Sequence, residues 1–280
     1  MTRMENKDIH AVSLEILTHI DKFCREKDIN YFLDSGTLLG AARDGGFIPW
    51  DDDADIVMPR PDYERFVAEY IDSAEYRLYA PSRGNCFLPY ARLCEMKRTY
   101  FSQVLPWTKE SPGVAVDILP LDGAPDSVEA YNRLSDSIVK LRNSIWKWRA
   151  SMCKSSILFK RSSRGFVGRC IHCFLSLIRR VCCPELVIKH NLARIRKLRL
   201  ENSFENSQKC FYIVVRKGLG KYWRKEWFSH SVEMDLCGIK FPVPCGWDER
   251  LTAEYGDWRK PPPDLEQKGH VAAQTMWWRD

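Results

Sequence analysis

Residues 33–58 read Leu-Asp-Ser-Gly-Thr-Leu-Leu-Gly-Ala-Ala-Arg-Asp-Gly-Gly-Phe-Ile-Pro-Trp-Asp-Asp-Asp-Ala-Asp-Ile-Val-Met, and their order decides the fold. Gly36-Thr37 followed by Leu38, Leu39, Gly40, Ala41 and Ala42 predicts a glycine turn that opens a helix, which Gly45-Gly46 ends. After Pro49-Trp50, residues Asp51 to Met58 alternate acidic and apolar, the period of an extended strand. On such a strand Asp51, Asp53 and Asp55 project to one side, and Asp52, Ala54 and Ile56 to the other. Two or three carboxylates then converge. That is unfavourable unless a cation neutralises them, and hard oxygen ligands select Mg²⁺ or Mn²⁺ over zinc. The interleaved Ala54, Ile56, Val57 and Met58 argue against a solvated acidic turn, which has no use for them.

Working outward, Ile9, Val12, Ile16, Ile20 and Phe23 recur at three- and four-residue steps, so residues 8–27 are expected to form an amphipathic helix. Tyr31 to Leu33 suits a short strand, and Pro61 suits the first turn of a helix over Asp62 to Ile71. Two strand-like runs fall within 78–96. Val114 to Leu119 is the best buried-strand candidate, closed by Pro120 and Gly123. Helices are expected over 127–150 and 184–200, with a looser amphipathic stretch at 157–183. A hairpin around Cys237-Gly238 and a short helix near Trp247 to Tyr255 precede a stop at Pro261-Pro262-Pro263. The fold class is α+β: a mixed sheet flanked by helices. Residues 1–126 are expected to form the core of the main domain, 127–230 a helical basic region, and 231–280 a segment that completes that domain.

With 280 residues, 45% of them hydrophobic and 29% charged, the chain can bury a core of its own, and disordered or low-complexity classes are excluded. No stretch approaches the roughly 18 apolar residues of a membrane span, and Met1 to His10 is polar with no apolar run behind it. A cytoplasmic protein is expected. The 11 cysteines, an odd number with most of them isolated among apolar neighbours, as at Cys24, Cys94 and Cys237, fit free thiols in that compartment.

Three chemistries use aspartates at this spacing. A calcium loop starting at Asp51 wants Gly at its sixth position and Glu at its twelfth, where the chain has Ile56 and Asp62. An aspartyl-nucleophile phosphatase could use Asp53-Ala54-Asp55, but its nucleophile ends a long apolar strand, and here Trp50-Asp51-Asp52 precedes. A nucleotidyltransferase-like site needs a Gly-Ser or Gly-Thr turn, then a strand with two alternating aspartates, then a third aspartate on a neighbouring strand. Gly36-Thr37, Asp53 with Asp55, and Asp117 supply these in order.

The run from Leu33 to Arg43, then Gly46 to Ile56, then Met58, Arg60 and Asp62-Tyr63-Glu64-Arg65-Phe66, closely resembles the LicD family of phosphocholine transferases and their fukutin-type relatives. Tyr255-Gly256-Asp257-Trp258 with Pro261-Pro262 and His270 forms a second, weaker match. The resemblance implies a nucleotidyltransferase-like fold that moves a phospho-alcohol (phosphocholine, phosphoribitol or phosphoglycerol) from a CDP-linked donor to a sugar hydroxyl of a cell-surface glycan such as lipopolysaccharide or teichoic acid, or of its lipid-linked precursor, releasing CMP. Within that expectation Asp53 and Asp55 hold Mg²⁺ or Mn²⁺, with Asp51 as an additional ligand. Asp117 either completes a second metal site or accepts the acceptor's proton. Gly36-Thr37 lets backbone amides approach a phosphate. Arg43 and Arg60 are suited to bidentate phosphate contacts or to surface ion pairs, and Trp50 to stacking on a base or capping the core. His270 is left outside the catalytic set. The competing readings are an NTP-dependent nucleotidyltransferase that releases pyrophosphate, and a catalytically silent nucleotide- or glycan-binding protein.

The net charge of +6 is unevenly placed: residues 151–200 hold twelve Lys and Arg against Glu185 alone, a local +11, and leave the other 230 residues at −5. Val167, Ile171, Phe174, Leu175, Ile178 and Val181 form one helical stripe beside Arg164, Arg169, Arg179 and Arg180. The 157–183 stretch is thus either a peripheral contact with an anionic membrane or a helical lobe with a solvated basic face. No zinc-finger, RNA-recognition or helix-turn-helix pattern accompanies the charge, so nucleic acid is not an expected partner. Cys170, Cys173, Cys182 and Cys183 are either a zinc site or inert thiols; the adjacent pair pointing apart on a helix favours the latter.

Overall fold

The computed structural model describes residues 2–102, 106–152, 183–212, 222–263 and 275–279. Helix α1 (Asn6–Lys27) opens where Asp8 accepts the Glu5 amide at 2.9 Å, and it buries Ile9, Val12, Ile16, Leu17 and Ile20. Each of these side chains contributes about 1.5–3 kcal/mol on burial. Strand β1 (Phe32–Leu33) leads into α2 (Ser35–Asp44), β2 (Ala54–Pro59) and α3 (Arg60–Glu69). Pro61 lies in the first turn of α3, as expected, but the helix stops at Glu69, and Ile71 stands in solvent at 85% exposure.

Strands β3 (Tyr76–Tyr79), β4 (Ala91–Glu95) and β6 (Ala115–Ala124) complete a sheet of order β1-β2-β6-β4-β3, in which β2 and β6 run parallel and their neighbours antiparallel. The expected stop at Pro120 is corrected, because β6 runs on to Ala124. On the edge away from β2, β6 pairs with β4 through Ile118 and with β7 (Lys209–Phe211) from Asp122. Pro120 falls in the gap between these partners, where a residue without an N–H costs no ladder bond. Strand β8 (Trp223–Arg224) pairs with β7, and β5 (Thr99–Ser102) pairs separately with β11 (Thr275–Trp278).

Strand alternation sorts the two central strands. Ala54, Ile56 and Met58 of β2, with Val116 and Ile118 of β6, join α1 and α3 in the main core. Val57, Leu119 and Leu121 lie in a second cluster with Phe32, Cys210, Trp223 and Phe228. Asp55 and Asp117 share the period of that second set, and therefore its face.

Helices α4 (Val128–Met152) and α5 (Pro184–Arg199) pack together through Tyr131, Leu134, Ile138, Leu141, Ile188, Leu192 and Ile195, and meet the sheet at Phe211. Residues 127–230 are thus not all insertion, because β7 belongs to the main sheet. The expected hairpin is present as β9 (Ser231–Leu236) and β10 (Ile239–Pro244). Cys237 (φ 56°) and Gly238 (φ 83°) form its two-residue turn, the left-handed geometry that matches strand twist. Cys237 is exposed there, whereas apolar surroundings were expected for it. Leu236, Phe241 and Val243, with Leu251 of α6 (Trp247–Tyr255) and Trp258, enter the core built by α1, so the C-terminal segment completes that core. No helix among the described residues is long and apolar enough to cross a membrane.

Candidate active site

The site grows from the start of α2. Ser35 takes a left-handed φ of 53°, and a Cβ on Gly36 would lie 2.2 Å from Asp51 Oδ2, so only glycine lets that carboxylate lie over the turn. Thr37 Oγ1 accepts the Asp55 amide at 2.9 Å, and the Asp34 amide donates to the Asp55 carbonyl at 3.2 Å. The Gly-Thr turn is therefore tied directly to the acidic strand. From the other side α1 holds the preceding loop: Asn6 Nδ2 donates to the Pro49 carbonyl at 3.0 Å, and His10 Nε2 lies 2.7 Å from the Asp51 carbonyl. The His10 ring stacks on Phe47 with centroids 4.8 Å apart.

Asp51 to Asp53 are not strand residues, because β2 begins at Ala54. The expected alternation fails across this stretch, and its consequence for Asp52 is reversed. Ligand atoms of Asp51, Asp52 and Asp53 all lie within 4.8 Å of one another, with Asp52 buried. A loop can turn three consecutive carboxylates to one place where a strand would separate them. Asp55 joins from the strand proper and stands directly opposite Asp117 in the parallel register. Burial, and after it the carboxylates of Asp53, Asp117, Asp51 and Asp34, push the Asp55 carboxyl well above the usual carboxylate range. Burial also raises Asp117, but the Arg92 guanidinium opposes this.

Arg92 faces Asp117 across the β4–β6 pair, donating a terminal nitrogen to Oδ2 at 2.8 Å, with Nε in ionic contact 2.5 Å from Oδ1. The Tyr90 hydroxyl also bonds Asp117. This set of hard, crowded oxygen donors fits a divalent cation such as Mg²⁺ or Mn²⁺: a metal would relieve the repulsion that raises Asp55.

Gly36, Thr37, Asp51, Asp53, Asp55 and Asp117 are thus brought together by hydrogen bond, register or electrostatic contact. Arg60 is not. The first residue of α3, five residues and roughly 16 Å at strand rise from Asp55, it is buried and gives Nε and a terminal nitrogen to Asp122 at 2.6 and 3.0 Å. It is neither a phosphate ligand of the acidic site nor a surface ion pair. Arg43 forms a fork on the neighbouring Asp44 at 2.9 and 2.8 Å, and its guanidinium lies 5.9 Å from the Trp50 ring, which packs against the main core. His270, Cys170, Cys173, Cys182 and nearly all of the 157–183 stretch lie outside the described residues. Cys183 is exposed and unbridged.

Sequence reasoning missed Arg92, Tyr90, Asp34, Tyr212 and Arg250. Arg250 of α6 is 1% exposed and donates at 2.9 Å both to the wholly buried Asp34 and to the Tyr212 hydroxyl, which in turn bonds Ser35 Oγ at 3.0 Å. Its guanidinium stacks 4.1 Å from the Trp223 ring. The C-terminal segment therefore fixes the residues on either side of the α2 start. Arg250 is a positioning residue. The half-exposed Tyr255 follows it on α6, its hydroxyl raised by burial and by Asp34, Glu254 and Asp55.

A mixed sheet carrying paired aspartates on parallel strands, with a Gly-Thr turn tied to one of them, defines a nucleotidyltransferase-type phosphotransferase. The family model described as LicD/FKTN/FKRP, nucleotidyltransferase domain, matches residues 28–173, and the chain belongs to that family. It is also 28% identical over 280 residues to the lipopolysaccharide cholinephosphotransferase LicD of Haemophilus influenzae, covering 96% of this chain and 97% of the relative.

Proposed function

We propose that the protein transfers phosphocholine, or a related phospho-alcohol, from a CDP-linked donor to a sugar hydroxyl of a surface glycan or its lipid-linked precursor, using Mg²⁺ or Mn²⁺ and releasing CMP. The observation that carries this reading is the cluster of Asp51, Asp52 and Asp53 in electrostatic contact with Asp55, which is set opposite Asp117 on the parallel strand. The named activity of the Haemophilus relative supports the choice of phosphocholine and of a lipopolysaccharide-type acceptor. Bound there, a divalent cation would neutralise the donor's diphosphate and stabilise charge on the leaving group.

The chain's own residues do the rest. Asp53 and Asp55, joined by Asp51 and Asp52, hold the cation. The backbone of Gly36-Thr37, with no Cβ at Gly36, accommodates a phosphate. Asp117 completes a second metal site or accepts the acceptor's proton: burial raises its proton affinity against the opposing Arg92, whose contact fixes its orientation. We place the reaction at the cytoplasmic side, where nucleotide-activated donors are available; the basic 157–183 stretch, either a peripheral membrane contact or a helical lobe, lies almost wholly outside the described residues.

Incubation with CDP-choline, CDP-ribitol or CDP-glycerol, metal and candidate glycans should give metal-dependent CMP release with one donor. Release of pyrophosphate from an NTP instead would favour true nucleotidyl transfer. Nucleotide binding without turnover of any donor would favour a silent binding protein.

A further inference from the structure

A cavity of about 220 Å³ lies between α3, the turn at 81–84 and α5, and its lining includes Arg60, Tyr63, Glu64, Lys189, Arg196 and Arg199. Its charges do not balance. Arg60 and Arg199 share one buried carboxylate, Asp122, and Arg60 and Arg196 share Glu64, at 3.1 and 3.2 Å. Lys189 has no ion-pair partner among the described residues. Four cations therefore face two carboxylates, a surplus of two positive charges. The remaining wall is apolar, from Pro81, Pro89, Leu192 and Ile195. At the inner wall the Tyr63 hydroxyl is buried and has no hydrogen-bond partner.

We propose that this cavity is a second binding site, separate from the acidic one, for a phosphate monoester. A monoester carries close to the two negative charges that the surplus calls for, where a carboxylate carries one. Arg60 is buried on Asp122 and Glu64, and Arg199 on Asp122 and the Pro89 and Pro120 carbonyls, so the exposed Lys189 and Arg196, the latter with one contact to Glu64, receive the phosphate. The organic part lies on the apolar wall. The monoester is either a soluble sugar- or polyol-phosphate or the headgroup of an anionic lipid, since both present the same group.

The test uses the full chain with chelator at low ionic strength, titrated calorimetrically with glycerol 3-phosphate, and sedimented with vesicles of phosphatidylcholine alone or doped with phosphatidic acid. The wild type is compared with Lys189→Gln/Arg196→Gln and, as a control of equal charge loss, with Lys140→Gln/Lys147→Gln on the exposed side of α4. The pocket pair should bind at least about tenfold more weakly than the wild type, the loss expected for a charge-assisted contact, and the control pair should match the wild type. Loss seen with glycerol 3-phosphate identifies a soluble ligand; loss seen only with doped vesicles identifies a lipid headgroup. Equal weakening in both pairs, or no binding by the wild type to either probe, would overturn the proposal.

Discussion

The parallel strands β2 and β6 carry opposite charge problems at their two ends. At the start, Asp55 and Asp117 stand side by side with Asp51, Asp52 and Asp53 close by, and Arg92 is paired to Asp117. Five residues further on, one carboxylate, Asp122, is gripped by both Arg60 and Arg199. Both ends are ionic and mostly buried, but the far end sets two arginines against one carboxylate, whereas the near end crowds several carboxylates together. A carboxylate held on both sides by arginine is structural. A cluster of crowded carboxylate oxygens is the kind of donor set that suits a hard divalent cation.

The far end should yield the largest single effect. Asp122→Asn leaves two buried guanidiniums facing a neutral amide, and removing one partner of such a network costs about 3–5 kcal/mol. Chemical denaturation should show that loss as a shifted midpoint, while CMP release per folded molecule stays at the wild-type level. A neutral substitution would mean that Asp122 is solvated in solution and that the contrast between the ends is not real.

At the near end the signs reverse. Asp53→Asn or Asp55→Asn should cut transfer on the order of 10²–10³-fold, by loss of charge placed at the reacting phosphate. The metal-free protein should remain as stable or gain stability, because one repelling charge is gone. A mutant with wild-type rate at limiting metal would remove that residue from the site.

Arg92 lies between these extremes, supporting the site without belonging to the acidic set. Arg92→Gln frees Asp117 to rotate, so metal affinity should fall about 10–100-fold, the usual cost of losing a group that orients a ligand. Saturating metal should restore much of the rate. A rate that no metal concentration restores would make Arg92 a direct contact of the donor.

How far these roles were legible depends on how local they are. The alternation in residues 51–58 and the apolar run 114–119 identified the central strands and put Asp117 on a strand next to Asp55, and Gly36-Thr37 marked the turn; that the two carboxylates face each other comes from the parallel register. Asp52 was misassigned because strand geometry was extended backwards over a loop. Arg92 could not be read as the partner of Asp117, since that pairing depends on β4 folding back beside β6, which no local pattern encodes. Asp34 and Arg250 are 216 residues apart and meet only when α6 packs on α2. Arg60 looked like a phosphate ligand because its partner Asp122, which it shares with Arg199, comes from a distant strand.

The smallest predicted effect is a pH dependence confined to the near end. The Asp55 carboxyl is held well above its ordinary 3.8, by burial first and then by Asp53, Asp117, Asp51 and Asp34. Between 3.8 and that raised value the folded protein binds a proton that the unfolded chain has released. Stability must therefore fall as pH rises through this window, and the contribution is favourable only at its acid end. With chelator present, thermal unfolding of the wild type should lose ground to Asp55→Asn as pH is raised from about 4 towards neutrality, since the amide has no proton to lose. Adding Mg²⁺ or Mn²⁺ at neutral pH should close the gap, because the cation replaces the proton as the neutralising charge and binds only the folded state. Asp122→Asn should show no such metal-reversible slope. If the wild type and Asp55→Asn instead run parallel across the range, the near end is neutralised by the protein itself and the contrast between the two strand ends disappears.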